Sequence, residues 1–228
     1  VGLASELVKQ LGATLAPYFV LLLVPLMGRM SDPDLAIRSA ATRAFASLVP
    51  LLPLASGKEP PSELTDAQKE RSKKDGAFLE ALLDNSKIED FKLPFKCSRT
   101  LRPYQQDGVN WLAFLRRFKL HGALADDMGL GKTLQSTCIL AATTVERRES
   151  GAKTLPHLVI CPTTLVGHWA HEIGLYVEPD VLCPLEYQGT PAERDALQKH
   201  FDKYDVVIMS YESARADAHT LDKFDWCY

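Results

Sequence analysis

The stretch whose residue types and spacing point most directly to chemistry is Asp126-Asp127-Met128-Gly129-Leu130-Gly131-Lys132-Thr133. Two glycines one residue apart let backbone N–H groups turn inward around an anion. An ammonium follows at Lys132 and a hydroxyl at Thr133. A helix starting there adds partial positive charge from its first N–H groups. Such a set suits the terminal phosphates of a nucleotide, with Lys132 reaching the β- and γ-phosphates and Thr133 ligating Mg²⁺. The strict phosphate-loop pattern has glycine where Asp126 stands, so this loop departs from it. The competing bland reading is a Gly-rich strand–helix turn with a chance Gly-Lys-Thr.

A phosphate loop needs a strand before it and a helix after it. The apolar segments supply both. Strands are predicted at 122–125, 158–161, 182–186 and 206–210, and helices at 132–146, 166–176 and 191–201. Short apolar strands without polar alternation predict a parallel sheet covered on both faces. Ligands on such sheets bind at the carboxyl ends of the strands. The expected fold is therefore α/β, a phosphate-loop lobe over residues 96–228.

Two zones precede it. Residues 1–54 are Ala/Leu-rich with helical spacing. Ser31-Asp32-Pro33-Asp34 reads as a turn and a helix start, with Asp32 as cap and Pro33 in the first turn. The following helix places Ile37, Ala40, Ala41, Ala44, Phe45 and Leu48 on one face. This Asp-Pro-Asp-x-x-Ile-Arg-x-x-Ala pattern resembles a HEAT repeat, with Arg38 set to reach a turn carboxylate. One such repeat cannot bury its own faces, so a longer solenoid is expected upstream of Val1. The bland alternative is an ordinary helical hairpin. Residues 55–95 are a polar linker with Gly57, Pro60 and Pro61, followed by a spacer helix.

Further motifs follow in a fixed order. Leu101-Arg102-Pro103-Tyr104-Gln105-Gln106-Asp107-Gly108 lies upstream of the loop. Downstream come Leu158-Val159-Ile160-Cys161-Pro162-Thr163-Thr164-Leu165, Trp169 with Glu172, and Asp205-Val206-Val207-Ile208-Met209-Ser210-Tyr211-Glu212. With Asp-Asp-Met-Gly-Leu-Gly-Lys-Thr, this set resembles the ATPase motifs of the Swi/Snf family within the helicase-like superfamily. The resemblance implies that the α/β lobe over residues 96–228 is an incomplete RecA-like lobe. It implies ATP and Mg²⁺ as ligands and Lys132 and Thr133 as catalytic residues, with Thr133 on the metal. It implies a nucleotide site completed by Asp127, Met128, Gly129, Leu130, Gly131 and Leu134. Arg102, Tyr104 and Gln105 would lie on the adenine side, where an amide such as Gln105 can donate and accept at once. It implies contacts from Pro162, Thr163, Thr164, Ser210 and Tyr211 to the backbone of double-stranded DNA. For these last residues a plain strand end is the alternative.

The order of HEAT-type end, Pro-rich spacer and ATPase motifs resembles the branch of the family that acts on TATA-binding protein. That implies a nuclear protein in which a HEAT array grips the TATA-binding protein while ATP drives its removal from DNA. A nucleosome remodeller of the same family, and a non-catalytic HEAT scaffold with a nucleotide-binding remnant, are the alternatives. Asp225-Trp226-Cys227-Tyr228 reads as the lead-in to a strand that in the family ends in Asp-Glu-x-His. That motif and the second lobe lie outside these residues, so the fragment alone is expected to be inactive. A small GTPase is disfavoured, because no Asn-Lys-x-Asp motif follows the loop.

Composition sets the bounds. The 228 residues carry a net charge of −3, so basic surface for DNA must be local. Five cysteines without a Cys-x-x-Cys pair argue against a disulfide framework and a zinc ribbon. The apolar run 18–27 is too short for a membrane span and is interrupted by Pro25, and it reads as a buried helix. His168, His171 and Glu172 lack a third placed ligand and read as a solvated helix face. Cys161 reads as an inert small hydrophobe, and Trp169 as core.

Overall fold

In a computed structural model, the structure describes residues 6–7, 10–51, 62–83, 88–117 and 120–228. The Gly57, Pro60 and Pro61 linker and part of the 78–87 spacer fall outside them. The chain divides into two compact units. One holds Val1–Glu89 and Phe114–Ala123, the other Asp90–Ala113 and Leu124–Tyr228.

The first unit is helical. Helix α1 (Phe19–Arg29) buries Phe19, Leu23, Leu26 and Met27 and continues through Pro25. It packs on α2 (Leu35–Leu48), which buries Ala41, Ala44 and Leu48. Three and four residues separate these positions, and two of them are alanines, so the backbones can approach closely. Ile37, predicted on the same face, is 40% exposed. The cap also differs from expectation. Asp34, not Asp32, caps α2 by accepting from Ala36 N and Ile37 N at 2.7 and 3.2 Å. Asp32 instead accepts from Asp34 N at 3.0 Å and pairs with Arg29 at 2.9 Å. Pro33 separates the two aspartates, and Asp34 has the extended backbone a cap requires, with φ −75° and ψ 120°. With that carboxylate engaged, Arg38 reaches the main-chain carbonyl of Asp32, at 2.7 Å. Helix α3 (Asp66–Leu83) opens where Thr65 N donates to Gln68 Oε1 at 2.9 Å and Gln68 N to Thr65 Oγ1 at 3.4 Å. This reciprocal cap accounts for a helix in so polar a run.

The second unit is a three-layer α/β sandwich. Its sheet has the order β1 (His157–Cys161), β3 (Val206–Ser210), β2 (Pro184–Tyr187), all parallel. Every residue of the central β3 is buried, as an apolar strand covered on both faces requires. Val206 and Ile208 pack with Ile173, Val177, Leu140 and Ala141 on one side. Val207 and Met209 pack with Tyr187, Phe201 and Leu221 on the other. The flanking helices are α5 (Lys132–Glu149), α6 (Val166–Tyr176), α7 (Pro191–Gln198), α8 (Tyr211–Ala216) and α9 (Ala218–Leu221), and within this unit Val109 and Ala113 of α4 (Pro103–Arg117) lie against α5. Helix α7 stops at Gln198 and a short 3₁₀ turn, Phe201–Lys203, follows, so the predicted span 191–201 was too long.

The strand predicted at 122–125 does not form. A strand needs a ladder partner, and the free edge of β1 is taken by the end of the chain. Leu158 N donates to Tyr228 O and Cys227 N to Pro156 O, each at 2.9 Å, in the parallel sense. Residues 225–228 form no strand, but these two bonds hold Cys227 and Tyr228 beside β1. Among the described residues, 122–125 have no strand to pair with, and Gly122, Ala123 and Ala125 are exposed.

Candidate phosphate loop and strand-end site

The loop turns where the glycines stand. Gly129 and Gly131 have φ of +84° and +85°, a region costly for any residue with a Cβ. Gly131 is also the N-cap of α5, and no side chain caps that helix. Its first-turn N–H groups therefore face the loop without a side-chain acceptor, and no acidic residue lies in that turn. This is the arrangement that favours an anion. Lys132, the first residue of α5, donates from Nζ to the carbonyls of Asp126 and Asp127 at 2.6 and 2.8 Å. The ammonium thus lies across the loop. Thr133 follows, half-buried in the first turn, and Leu134 is buried against Val109, Ala113 and Ile139. Met128 is 96% exposed at the tip of the loop, and Asp127 and Leu130 are exposed as well.

Gln105 is brought to the loop but is already engaged. Its Nε2 donates to Leu130 O at 3.1 Å and its Oε1 accepts from Arg102 N at 3.0 Å. A Cβ on Gly131 would lie 2.5 Å from that Nε2, so the amide and the loop are in close contact. The residue expected on the adenine side thus braces the loop backbone, and one N–H and one acceptor lone pair of its amide remain. Arg102 is exposed, with Nη1 3.5 Å from the half-exposed Tyr104 hydroxyl. Behind them, Asn110 Oδ1 accepts from Phe91 N at 2.8 Å and Gln106 Nε2 donates to Phe91 O at 3.0 Å. The chain entering α4 is thereby stitched to that helix.

The strand-end residues are juxtaposed by the register. Cys161 pairs with Ser210, so Pro162-Thr163-Thr164 and Tyr211 leave the sheet side by side. Pro162, Thr163, Thr164 and Tyr211 are exposed. Two of the expected hydroxyl donors have internal roles. Ser210 Oγ caps α8 by accepting from Ser213 N at 3.0 Å. Thr163 Oγ1 donates to Glu212 Oε2 at 2.9 Å, a brace between the two loops that sequence reading missed. Hydrogen bonds from its own N–H and from the hydroxyls of Ser210 and Thr163 hold the Glu212 carboxyl below the usual carboxylate range.

The remaining candidates fall as follows. Trp169 packs against the core on α6. His168 lies 3.8 Å from Glu172, one turn on. Cys161 is buried, and burial pushes its thiol up. Cys97 and Cys138, far apart in sequence, meet beside α5. A hydrogen bond from Cys138, with help from the Arg99 N–H, holds Cys97 down to about 6. The same contact drives Cys138, which is buried, far upward. Sequence spacing carries no sign of this pair. Gln135 was also missed, although an amide on an otherwise apolar helix face, with Leu134, Cys138 and Ile139, was a visible signal.

A parallel sheet with helices on both faces, and a glycine loop opening a helix, define a phosphate-loop α/β lobe of the kind that fits a RecA-like core. Within that class, the SNF2-related domain model matches residues 104–228, more than half of the sequence, and the chain belongs to that family. Relatives include the TATA-binding protein-associated factor BTAF1 of Arabidopsis thaliana. It is 49% identical over 99% of this chain and 11% of its own length. The TATA-binding protein-associated factor 172 of Homo sapiens is 45% identical over 96% of this chain and 12% of its own. The chain thus spans about a ninth of the length of these relatives. The solved Sulfolobus solfataricus SWI2/SNF2 ATPase core in complex with dsDNA is 29% identical. That likeness covers 60% of this chain and 27% of the other, with a TM-score of 0.49. Among the described residues no helix is long and apolar enough to cross a membrane.

Proposed function

We propose that these residues are part of an ATP-driven translocase on double-stranded DNA that dissociates TATA-binding protein from DNA and so regulates transcription in the nucleus. The observation that carries the proposal is the loop. Two left-handed glycines precede a long helix whose first turn has no side-chain cap, and a lysine ammonium lies across it. In this reading Lys132 moves from its carbonyls to the β- and γ-phosphates and neutralises charge that builds in the transition state. Thr133 would hold Mg²⁺ through its hydroxyl, and the ion would supply positive charge to offset that of the phosphates. The N–H groups of Gly129 to Leu134 orient the chain of phosphates, while Gln105, Arg102 and Tyr104 flank the base.

Pro162, Thr163, Thr164, Ser210 and Tyr211 stand at the carboxyl edge of the sheet, where a DNA backbone would be gripped without regard to sequence. The α1–α2 hairpin is the end of a HEAT array whose other repeats grip the TATA-binding protein. Support comes from the matched relatives, which bear that protein in their names. The same-family alternative, nucleosome remodelling, differs only in what the array holds. A pull-down of the full-length protein with TATA-binding protein against histones separates the two.

Hydrolysis in such proteins rests on positioning and charge stabilisation between two lobes. The 228-residue chain by itself is therefore proposed not to turn over ATP. The test of the loop is DNA-stimulated ATP turnover by the full-length protein. Lys132→Ala is expected to abolish it while the thermal midpoint stays put, because the change removes charge and little packing. Retained turnover would end the assignment.

A further inference from the structure

Gln135 lies in the first turn of α5 and is fully buried. Its Nε2 donates to Asp126 Oδ2 at 3.2 Å. Its Oε1 has no hydrogen-bond partner among the described residues. That oxygen lies against Gly108 of α4, where a Cβ would stand 1.8 Å away. An amide carbonyl buried without a donor is costly. Leucine would fill similar volume without that desolvation, so stability does not account for an amide here.

Asp126 is the other half of the observation. It stands where the strict loop pattern has glycine, and its side chain brings a negative charge to a loop suited to a polyanion. The Gln135 N–H holds that carboxylate back toward α5. The same residue's main-chain carbonyl accepts from Lys132 Nζ at 2.6 Å. One residue therefore carries both contacts, its side chain on Gln135 and its carbonyl on the lysine.

We infer that Gln135 is a positioning residue for the phosphate loop, acting through Asp126. The inference rests on the phosphate-loop reading above. Gln135 keeps the Asp126 carboxylate away from the place of the phosphates and away from the Lys132 ammonium. Released, the carboxylate competes with nucleotide for Lys132 and repels the incoming phosphates. Gly108 makes room for the amide, so α4 shapes the loop through this contact as well as through Gln105.

The test is made on the DNA-stimulated ATPase of the full-length protein. Gln135→Leu removes the donor and the unpaired carbonyl together. The KM for ATP is expected to rise at least about tenfold, the lower end of what one hydrogen bond to a charged group is worth. The kcat is expected to stay within about threefold and the thermal midpoint not to fall, as for loss of ground-state binding alone. Asp126→Ala removes the carboxylate, and in that background Gln135→Leu is expected to add nothing to KM. Additive effects of the two changes, or a lowered thermal midpoint with KM unchanged, would overturn the inference. Lys132→Ala, run in parallel, tells the two failures apart. If it leaves turnover intact, the loop reading itself has failed.

Discussion

Replacing Gly108 by alanine sets two effects of opposite sign against each other. Alanine in a helix interior is favoured over glycine by about 1 kcal/mol. The added Cβ, however, would lie 1.8 Å from Gln135 Oε1 and 2.9 Å from its Cδ, where ordinary contact begins at 3.4 Å. Gln135 has nowhere to retreat, since it is fully buried and tied to Asp126. Either the helices part, an overpacking cost of about 1–3 kcal/mol, or the amide swings and its bond to the carboxylate is lost at about 1.5–3 kcal/mol. With the helix gain subtracted, either route alone leaves at most about 2 kcal/mol of destabilisation, and both together leave about 1.5–5. Urea denaturation followed by circular dichroism measures the difference. The double variant Gly108→Ala/Gln135→Ala is expected to recover part of the loss, because the clashing atoms are gone. A Gly108→Ala chain more stable than the parent by the full helix gain of about 1 kcal/mol would refute the packing argument.

Arg148→Ala should cost about 2 kcal/mol in the same assay, because it strips a 2.7 Å partner from the buried Asp205 carboxylate and leaves it, among the described residues, with Cys183 N at 2.9 Å. The partial exposure of Arg148 keeps the figure below that of a fully buried pair, and Asp205→Asn should cost less. The Arg194 guanidinium, 2.7 Å away, holds the Asp217 carboxyl below its ordinary 3.8. The native state then binds fewer protons than the unfolded one, so this stability is lost as pH falls below about 4, and Asp217→Asn should flatten that acid limb. Burial, and then its bond to Asp217, push Tyr187 up to about 12 from 10. Stability should fall as pH rises from 10 to 12, and Tyr187→Phe should remove that loss. Iodoacetamide should alkylate Cys97 with a rate rising through pH 6, and Cys138→Ala should move that rise toward 9. A parent profile already centred near 9 would contradict the Cys97–Cys138 contact.

Local signals were legible wherever a single element determines them. The span of α6, the start of α5 and the extent of β3 follow from apolar periodicity and from glycine before a helix. Signals that depend on a neighbour were not. Residues 122–125 have strand composition but no ladder partner among the described residues, so propensity yields to hydrogen-bond accounting. Asp32 and Asp34 are equally good cap residues by type, and it is Asp34, after Pro33, whose extended backbone and side chain cap the helix. At the site, the residue types of the loop could be read because its chemistry is contiguous. The bonds from Gln135 to Asp126 and from Thr163 to Glu212 join residues on separate elements, and no spacing rule predicts them.

The decisive measurement is a structure of the full-length protein with a non-hydrolysable ATP analogue and Mg²⁺. Lys132 Nζ should leave its 2.6 and 2.8 Å bonds to Asp126 and Asp127 and contact the terminal phosphates, with Thr133 Oγ1 on the metal. An analogue bound elsewhere, with the ammonium still on those two carbonyls, would contradict the account.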